Sequence, residues 1–213
     1  MKRTPSIALI GVMLIALGVI AVAAFVAWNR IVGDGGPRQA SESGFTSNVK
    51  IGGPFSLTGH HGKPVSDGDF RGRLMLVYFG YGYCPDVCPT ELANLAAAVD
   101  ALGSKSAEVQ PIFITIDPER DTVGFLADYV PQFHPRMVGL TGSQAEIASV
   151  AKQYRVFYQK TTDPGATDYL MNHSGFIYLM GRDGAFLTMF RGATKPQAIA
   201  DTIGTYIARG AQG

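Results

Sequence analysis

The chain has 213 residues, enough for one mid-sized domain with a full hydrophobic core and some additional segments. Its 18 basic and 17 acidic side chains nearly cancel, so it has no global electrostatic field that would attract nucleic acid or an acidic membrane surface. We therefore set nucleic-acid binding aside as a function.

The first predicted element is a transmembrane anchor at residues 7–28. This stretch contains no charged residue and, at about 1.5 Å rise per residue, a helix of this length covers the roughly 30 Å hydrocarbon core of a bilayer. The alternative is a cleaved signal peptide with its cleavage site at Ala21-Val22-Ala23. The apolar run continues past that point to Trp28, beyond the usual apolar region of about 7 to 15 residues, which favours an uncleaved anchor.

The charges around this segment predict its orientation. Lys2 and Arg3 precede it, whereas Arg30 and Asp34 follow it, and the positive side of a span tends to stay in the cytoplasm. We therefore expect residues 1–6 to be cytoplasmic. The rest of the chain would then lie on the periplasmic or extracytoplasmic side of a bacterial-type inner (plasma) membrane.

A flexible linker is predicted at residues 29–50, which are rich in glycine, serine and other polar residues. The globular domain is predicted to occupy residues 51–210. It begins with an apolar segment at 54–57 and a turn at 59–64, which together indicate a hairpin over the core.

After this hairpin, apolar runs of strand length alternate with segments of helical periodicity. Residues 74–79 form a continuous apolar run, too short for a buried helix, and predict a central strand; residues 90–102 then carry apolar side chains on one helical face. The next predicted elements are a strand at 109–116, a helix at 122–133, a strand at 137–140 and a helix at 143–154. This alternation is typical of βαβ units.

The last predicted elements are a β-hairpin and a helix. Strands at 175–180 and 185–190 flank an Arg-Asp-Gly turn, and residues 196–208 form an amphipathic helix. The sequence thus predicts a mostly parallel central sheet with an antiparallel hairpin edge and helices on both faces. That arrangement is a thioredoxin-like α/β sandwich, preceded here by the predicted transmembrane helix.

Two cysteines, Cys84 and Cys88, directly follow the predicted central strand. In open α/β sheets, ligands bind beyond the carboxyl ends of the strands. Pro89 is suited to the first helical position, so we expect both cysteines in the bend before the helix, where the helix N-terminus lowers thiol pKa values. A disulfide closing so short a loop adds little stability. The pair is therefore a metal site or a redox-active pair with a labile disulfide.

The spacing and the available third ligands help to choose between these roles. The C-x-x-x-C spacing is wider than the C-x-x-C of thioredoxin-type oxidoreductases, and soft thiolates favour Cu(I), zinc or iron-sulfur clusters. Two cysteines are too few for a normal cluster. His60, His61 and His134 are interpreted as surface or core residues. His173 precedes a core strand in a loop expected to pack against the cysteine bend, and a Cys₂His set suits Cu(I).

Two further groups near the predicted site have both structural and functional interpretations. Asp121 is predicted to cap the following helix, and Asp117 could supply second-shell charge or a hydrogen bond to the site. Tyr81 and Tyr83 could shield a metal, and aromatic packing explains them equally well.

Three separated motifs resemble a known family. They are YFGYGYCPDVCPTEL at 78–92, DPERDT at 117–122 and NHSGFIYLMGRDG at 172–184. Together they resemble the Sco/SenC proteins of cytochrome c oxidase assembly, over residues 46–208 and the N-terminal anchor.

The resemblance implies that Cys84, Cys88 and His173 bind one copper ion per chain within a thioredoxin-like fold. It also implies a membrane-anchored metallochaperone that receives copper from a donor chaperone. Such a protein delivers the copper to the copper A centre of cytochrome c oxidase subunit II, reduces the cysteines of that centre, or does both. The sequence departs from many relatives at Tyr83, where they have histidine, and at Asn172, where they have aspartate; neither position is a presumed ligand.

Two other hypotheses stay open at this stage. A thiol-disulfide oxidoreductase acting on extracytoplasmic partner cysteines would use Cys84 and Cys88 without a metal, and His173 would then be dispensable for thiol exchange. A peroxidase of the same broad fold would use a low-pKa cysteine and a resolving partner. Whether the protein is an enzyme therefore depends on its thiol chemistry.

Overall fold

The computed structural model describes residues 50–162 and 168–210, together with the single positions Gly18, Ile20, Val22, Ala23, Phe25 and Trp28. The chain divides into two units, residues 1–48 and residues 49–213. Six positions of the predicted anchor are helical; its other residues, the predicted cytoplasmic residues 1–6 and nearly all of the predicted linker lie outside the described residues. No helix within the described residues is both long and apolar enough to cross a membrane.

The described part of the second unit contains strands, α-helices and short 3₁₀ turns. The strands are β1 (Ser56–Gly59), β2 (Pro64–Ser66), β3 (Leu74–Gly80), β4 (Val109–Thr115), β5 (Val138–Thr141), β6 (Tyr158–Thr161), β7 (Leu170–His173), β8 (Ile177–Met180) and β9 (Phe186–Phe190). The helices are α1 (Val87–Ala101), α2 (Val123–Tyr129), α3 (Gln144–Gln153) and α4 (Pro196–Gly210). The 3₁₀ turns are Asp67–Phe70, Gly103–Glu108 and Val130–Gln132.

Seven of these strands form one mixed sheet in the order β2-β1-β5-β4-β3-β8-β9. Strands β3, β4 and β5 are parallel, whereas β1 pairs antiparallel with β5 and β8 pairs antiparallel with β3. The thioredoxin-like α/β arrangement is therefore confirmed. The predicted antiparallel hairpin edge forms from β8 and β9. The expectation of a mostly parallel sheet is wrong, because four of its six strand pairings are antiparallel, and the β1–β2 hairpin extends the sheet beside β5 instead of lying over the core.

Strand β3 shows how the core holds both faces of the sheet. All seven of its residues are buried, and consecutive side chains of a strand point to opposite faces. The Phe79 ring packs against Tyr154, which follows α3. Tyr78 points the other way, toward the thiol of Cys88 in α1, and α1 packs on α4. Helices therefore cover both faces, as predicted.

The remaining two strands, β6 and β7, form a separate antiparallel sheet that the sequence does not predict. We refer to this pair as the β6–β7 hairpin. Its residues are largely exposed and polar, so neither strand shows a continuous apolar run. In its register, His173 pairs with Tyr158 at one end and Leu170 pairs with Thr161 at the other.

Helix α1 begins earlier than predicted. It starts at Val87, so Cys88 lies in its first turn and Pro89 occupies the third helical position. The N–H groups of a first helical turn have no acceptor within the helix, so a proline there removes no hydrogen bond. The expectation that both cysteines lie in the bend before the helix is therefore wrong for Cys88 and right for Cys84.

Candidate metal and thiol site

The end of β3 and the start of α1 position the two sulfur atoms. The backbone N–H of Cys84 donates to the carbonyl oxygen of Tyr81 at 3.3 Å, which closes the bend. The backbone N–H of Cys88 in turn donates to the Sγ of Cys84 at 3.3 Å. The sulfur of Cys84 therefore accepts a hydrogen bond from the N-terminal end of α1, where an anionic sulfur is favoured.

Glycine at two positions allows this close packing. A Cβ atom on Gly80 would lie 2.9 Å from the ring of Tyr78 and 3.1 Å from the sulfur of Cys88. A Cβ atom on Gly82 would lie 2.1 Å from the ring of Phe125. Larger residues at these positions would push α1 or α2 away from the strand end.

His173 reaches the cysteine pair from the β6–β7 hairpin. Its Nε2 lies 3.3 Å from the sulfur of Cys88, and its Nδ1 lies 3.1 Å from the carbonyl oxygen of Ser174. A carbonyl oxygen only accepts, so Nδ1 carries the proton and donates to it. In the neutral ring, Nε2 therefore presents a lone pair to the sulfur. The structure thus brings together the three side chains singled out as ligands.

Two tyrosines enclose the imidazole. The rings of Tyr78 and Tyr81 meet the His173 ring edge to face, at centroid distances of 6.2 and 6.0 Å. The hydroxyl of Tyr78 is buried beside Cys88 and has no well-aligned hydrogen bond to a described residue. Tyr78 was not predicted to be part of the site. The available signal was a polar hydroxyl in the all-buried strand preceding the cysteines, since buried tyrosine hydroxyls usually have a partner.

The two thiols have opposite acidities. The S–H of Cys88 hydrogen-bonds to the sulfur of Cys84 and, together with hydrogen bonds from backbone N–H groups, lowers the pKa of Cys84 far below its ordinary value. The same hydrogen bond and burial raise the pKa of Cys88. The pair therefore holds one proton, with Cys84 as the thiolate and Cys88 as the thiol.

The site opens to solvent on the side of Cys84. Cys88 is fully buried, whereas Cys84 is partly exposed. Cys84 and Val87 line one wall of a cavity of about 360 Å³, and Leu170, Asn172 and His173 line the opposite wall. A partner molecule can therefore approach Cys84 between the bend and the β6–β7 hairpin.

The donor set fits a soft metal. Two sulfurs and a neutral imidazole nitrogen are ligands that Cu(I) prefers. Within the part of the chain that the structure describes, no three histidine, cysteine or acidic side chains are spaced to hold a metal ion as they stand. The 3.3 Å between Cys88 and His173 is a hydrogen-bond distance, so metal binding requires these side chains to turn toward a common ion.

Asp117 lies one layer away from these three side chains. Its buried carboxylate accepts hydrogen bonds from Arg120 Nε at 2.5 Å and from the hydroxyl of Tyr169 at 2.8 Å. None of its described hydrogen bonds is made to a cysteine or to His173. The guanidinium of Arg120 lies over the rings of Tyr81 and Tyr83. Asp117 is therefore linked to the site indirectly, through Arg120 and the tyrosines and through Thr115, whose hydroxyl also contacts Asp121.

The prediction that Asp121 caps α2 is wrong. The cap is Thr122, whose side chain accepts from the N–H of Phe125 at 3.3 Å. Asp121 is buried, and its carboxylate accepts from the N–H of Gly82 at 2.9 Å and from the hydroxyl of Thr115 at 2.6 Å. Burial raises the pKa of Asp121 to about 6. Asp121 thus anchors the cysteine bend, because its side chain faces inward.

The other highlighted side chains lie around or away from the site. Tyr83 is exposed and stacks on Phe125 at a centroid distance of 5.2 Å. His60 accepts a hydrogen bond from the N–H of Gly139 and has its ring 4.0 Å from that of His61. His134 accepts from the N–H of Arg136. The contacts of these three histidines are thus made with elements other than the cysteine bend.

The fold and the site define a class: a thioredoxin-like domain that carries a C-x-x-x-C pair at the start of a helix and a histidine facing it. The family model described as SCO1/SenC matches residues 44–208. The chain belongs to the SCO1/SenC family.

Known relatives resemble this chain over most of the domain. The human protein named "Protein SCO1 homolog, mitochondrial" is 43% identical over 159 residues, which cover 74% of this chain and 53% of that relative. The chain thus spans about half of that relative's length. A solved structure of Arabidopsis thaliana ScoI with copper bound is 44% identical, with a TM-score of 0.71 over 75% of this chain and 99% of that chain.

A more distant structure is described as BsSco, a member of the Sco family of cytochrome c oxidase assembly proteins in which a disulfide switch was identified. It is 25% identical, with a TM-score of 0.58 over 74% of this chain and 92% of that chain.

Proposed function

We propose that this protein binds one copper ion through Cys84, Cys88 and His173 and serves the assembly of cytochrome c oxidase. It would deliver the copper to the copper A centre of subunit II, reduce the cysteines of that centre, or do both. The family membership and the copper-bound Arabidopsis relative support this proposal. The chain spans about half of the length of the human relative, so its activity and its partners are both part of the proposal.

One observation carries the proposal: the imidazole of His173 in the β6–β7 hairpin lies 3.3 Å from the sulfur of Cys88, 85 residues away in the chain, and the backbone N–H of Cys88 donates to the sulfur of Cys84. The Cys84 thiolate supplies a ready anionic donor, and the His173 Nε2 lone pair supplies a neutral one. The buried Cys88 thiol must lose its proton to become the third donor. Copper uptake therefore releases a proton from the pair.

Transfer of the copper would proceed by exchange of ligands. Cys84 and His173 line the open cavity, so thiolates of a partner can reach the metal from that side. Cys88 lies behind them and would be the last ligand to leave. A donor chaperone would load copper through the same cavity, and the ligands would then bind the metal in the reverse order.

Copper titration of the reduced full-length chain tests the proposal. We expect one equivalent of Cu(I) bound by the wild type and none bound tightly by Cys84→Ser or Cys88→Ser, because one sulfur and one imidazole form a much weaker site. His61→Ala, which changes a histidine outside the site, is the matched control and should keep one equivalent. Unchanged copper binding in both serine variants would contradict the proposal.

The alternative function is thiol-disulfide exchange without a metal, and the opposite acidities of the two thiols favour it. The exposed Cys84 thiolate would attack one sulfur of a partner disulfide, forming a mixed disulfide and releasing the other partner sulfur as a thiolate. Cys88 would then lose its proton and attack Cys84. The pair ends as a disulfide, and the partner gains two electrons as two thiols.

His173→Ala separates the two functions. If copper delivery dominates, this variant loses maturation of the copper A centre while its reaction with a model disulfide continues at the wild-type rate. If thiol exchange dominates, maturation persists in His173→Ala and is lost in Cys84→Ser. The measurement is copper A absorbance in a reconstituted subunit II domain.

We also propose that residues 7–28 anchor the chain in a bacterial-type inner membrane, with the amino terminus in the cytoplasm and the copper-binding domain outside. The apolar run and the flanking charges support this. Alkaline extraction of membranes tests it: the full chain should stay in the pellet, and a chain lacking residues 7–28 should be released. Release of the full chain would contradict the anchor.

A further inference from the structure

The β6–β7 hairpin that carries His173 is not part of the main sheet, so other contacts must set the position of the imidazole. At its His173 end, the N–H of Ser174 donates to the carbonyl of Phe157 at 2.9 Å. That bond joins the two arms of the hairpin to each other and does not attach them to the domain. The attachment at the opposite end of β7 therefore matters for where His173 lies.

One side chain, Arg120, makes several polar contacts at that end, in addition to the burial of the Met171 side chain of β7 in the core. Its NH1 donates to the carbonyl oxygen of Tyr169, the residue before β7, at 3.0 Å, while its Nε donates to Asp117 at 2.5 Å. Its guanidinium carbon lies 3.7 Å from the centre of the Tyr169 ring. The hydroxyl of Tyr169 donates to Asp117 at 2.8 Å. Backbone, ring and hydroxyl of Tyr169 are thus held by one Arg120–Asp117 ion pair.

This ion pair differs from the surface contacts nearby. The side chain of Arg120 is 17% exposed and that of Asp117 is fully buried, whereas Lys160 and Glu119, which also connect the hairpin to the same segment, are 44% and 54% exposed. Exposed ion pairs contribute little to stability, and hydrogen bonds to buried charges contribute more. The Arg120 contact is therefore the stronger of these two polar attachments of the hairpin.

We propose that Arg120 is a positioning residue that fixes the β6–β7 hairpin on the domain so that His173 faces the cysteine pair. The positioning role does not depend on copper; only its consequence, a nitrogen ligand for copper bound to this chain, rests on the proposed function. Lysine cannot replace arginine here, because one ammonium group cannot donate in parallel to the Asp117 carboxylate and the Tyr169 carbonyl while stacking on the ring.

The first test measures hairpin order without copper. In the reduced, metal-free full-length chain, Arg120→Met should raise the amide hydrogen-exchange rates of residues 158–161 and 170–173 by at least about tenfold, because local opening becomes easier. Arg120→Lys should raise them by a smaller factor. Arg191→Met, which changes an exposed arginine, is the matched control and should leave them unchanged.

Residues 74–80 and 109–115 serve as the internal reference, since a general loss of folding would raise their exchange as well. Unchanged exchange of the hairpin in Arg120→Met would overturn the inference, as would an equal increase in the hairpin and in β3 and β4.

The second test uses the copper-loaded chain. Arg120→Met should keep one bound copper through the two sulfurs and lose most of the nitrogen coupling in the electron paramagnetic resonance spectrum of the Cu(II) form. His173→Ala defines the spectrum without that ligand. A wild-type spectrum identical to that of His173→Ala would contradict His173 as a ligand, whereas the exchange measurement would still decide the role of Arg120. Full nitrogen coupling in Arg120→Met would overturn the positioning role.

Discussion

The cysteine bend and the β6–β7 hairpin face each other across the site, and the fold holds them in different ways. The bend lies between a strand with seven buried residues and a helix packed on the core. The hairpin is a separate two-stranded sheet with mostly exposed residues. It is attached through Arg120 and Tyr169 and through one buried side chain, Met171.

This difference separates two properties of the site. The positions of the sulfurs are coupled to the stability of the whole domain, because displacing them displaces the core. The position of the imidazole is coupled to a few side-chain contacts and can change while the domain stays folded. The number of ligands at the site can therefore vary without unfolding, as the proposed exchange of copper with a partner would require.

The largest effect expected within the bend is a difference in thiol reactivity. In the reduced, metal-free chain at pH 7, iodoacetamide should modify Cys84 at least about 100-fold faster than Cys88, since the thiolate is the nucleophile and Cys88 is buried. Mass spectrometry of the two modified forms measures this. Similar rates for the two cysteines would show that the proton is shared evenly, which contradicts the lowered pKa of Cys84.

Gly80→Val tests whether the core positions the sulfurs. The added atoms would meet Tyr78, Cys88 and Phe113 at 2.9 to 3.2 Å, and overpacking of this kind costs about 3 kcal/mol of unfolding free energy. Urea denaturation measures it. Gly124→Ala, at a helical position with open space around it, is the control and should stabilise the protein by about 0.5 to 1 kcal/mol. If Gly80→Val left the free energy of unfolding unchanged, the residues around Gly80 would be able to move at little cost, which would contradict positioning by the core.

The bend should also make stability depend on pH through Asp121. Its folded pKa of about 6 lies above the ordinary 3.8, so the folded state binds this proton more tightly than the unfolded state. That contribution is present below about pH 4 and is lost as the pH rises through 6. Between pH 4 and 7 the free energy of unfolding of the wild type should therefore fall by on the order of 2 kcal/mol relative to that of Asp121→Asn.

Urea unfolding at a series of pH values measures this difference. Asp201→Asn, at an exposed position of α4, is the control, and its curve of unfolding free energy against pH should run parallel to that of the wild type. Parallel curves for Asp121→Asn as well would contradict the raised pKa.

The smallest effect is expected on the hairpin side. His173→Ala removes the contacts with Cys88 and the two tyrosines but no core packing, so the unfolding free energy should fall by less than about 1 kcal/mol. Leu92→Ala, in the fully buried face of α1, should cost about 2 to 5 kcal/mol in the same urea assay. A large loss in His173→Ala would contradict the independence of the hairpin from the core.

Local sequence patterns predicted most of the main sheet because its strands are buried. The run at β3 is continuous and apolar, and β4 carries the apolar residues Ile112, Phe113 and Ile114, so the existence of both strands followed from hydrophobicity. The start of α1 was misplaced because Pro89 is tolerated throughout the first turn. The β6–β7 hairpin was missed because its strands are short and exposed, and only pairing with each other makes them strands.

The candidate site divides in the same way. Cys84 and Cys88 were predicted from their chemistry and from their place after a buried strand. His173 was selected by its place before a core strand. Asp121 was assigned to a cap because local spacing does not reveal which way a side chain points, and the structure turns it inward to Gly82 and Thr115. The roles of Arg120 and Tyr78 followed only from their contacts in the folded structure.

The amino-acid sequence by itself determined the buried strands, the helical segments and the soft donor atoms, because these follow from short-range periodicity and side-chain chemistry. Tertiary structure alone decided that Nε2 of His173 meets a sulfur 85 residues away, and which of the two sulfurs keeps the proton. Those properties depend on distance, burial and hydrogen bonding between remote segments, which no local pattern contains.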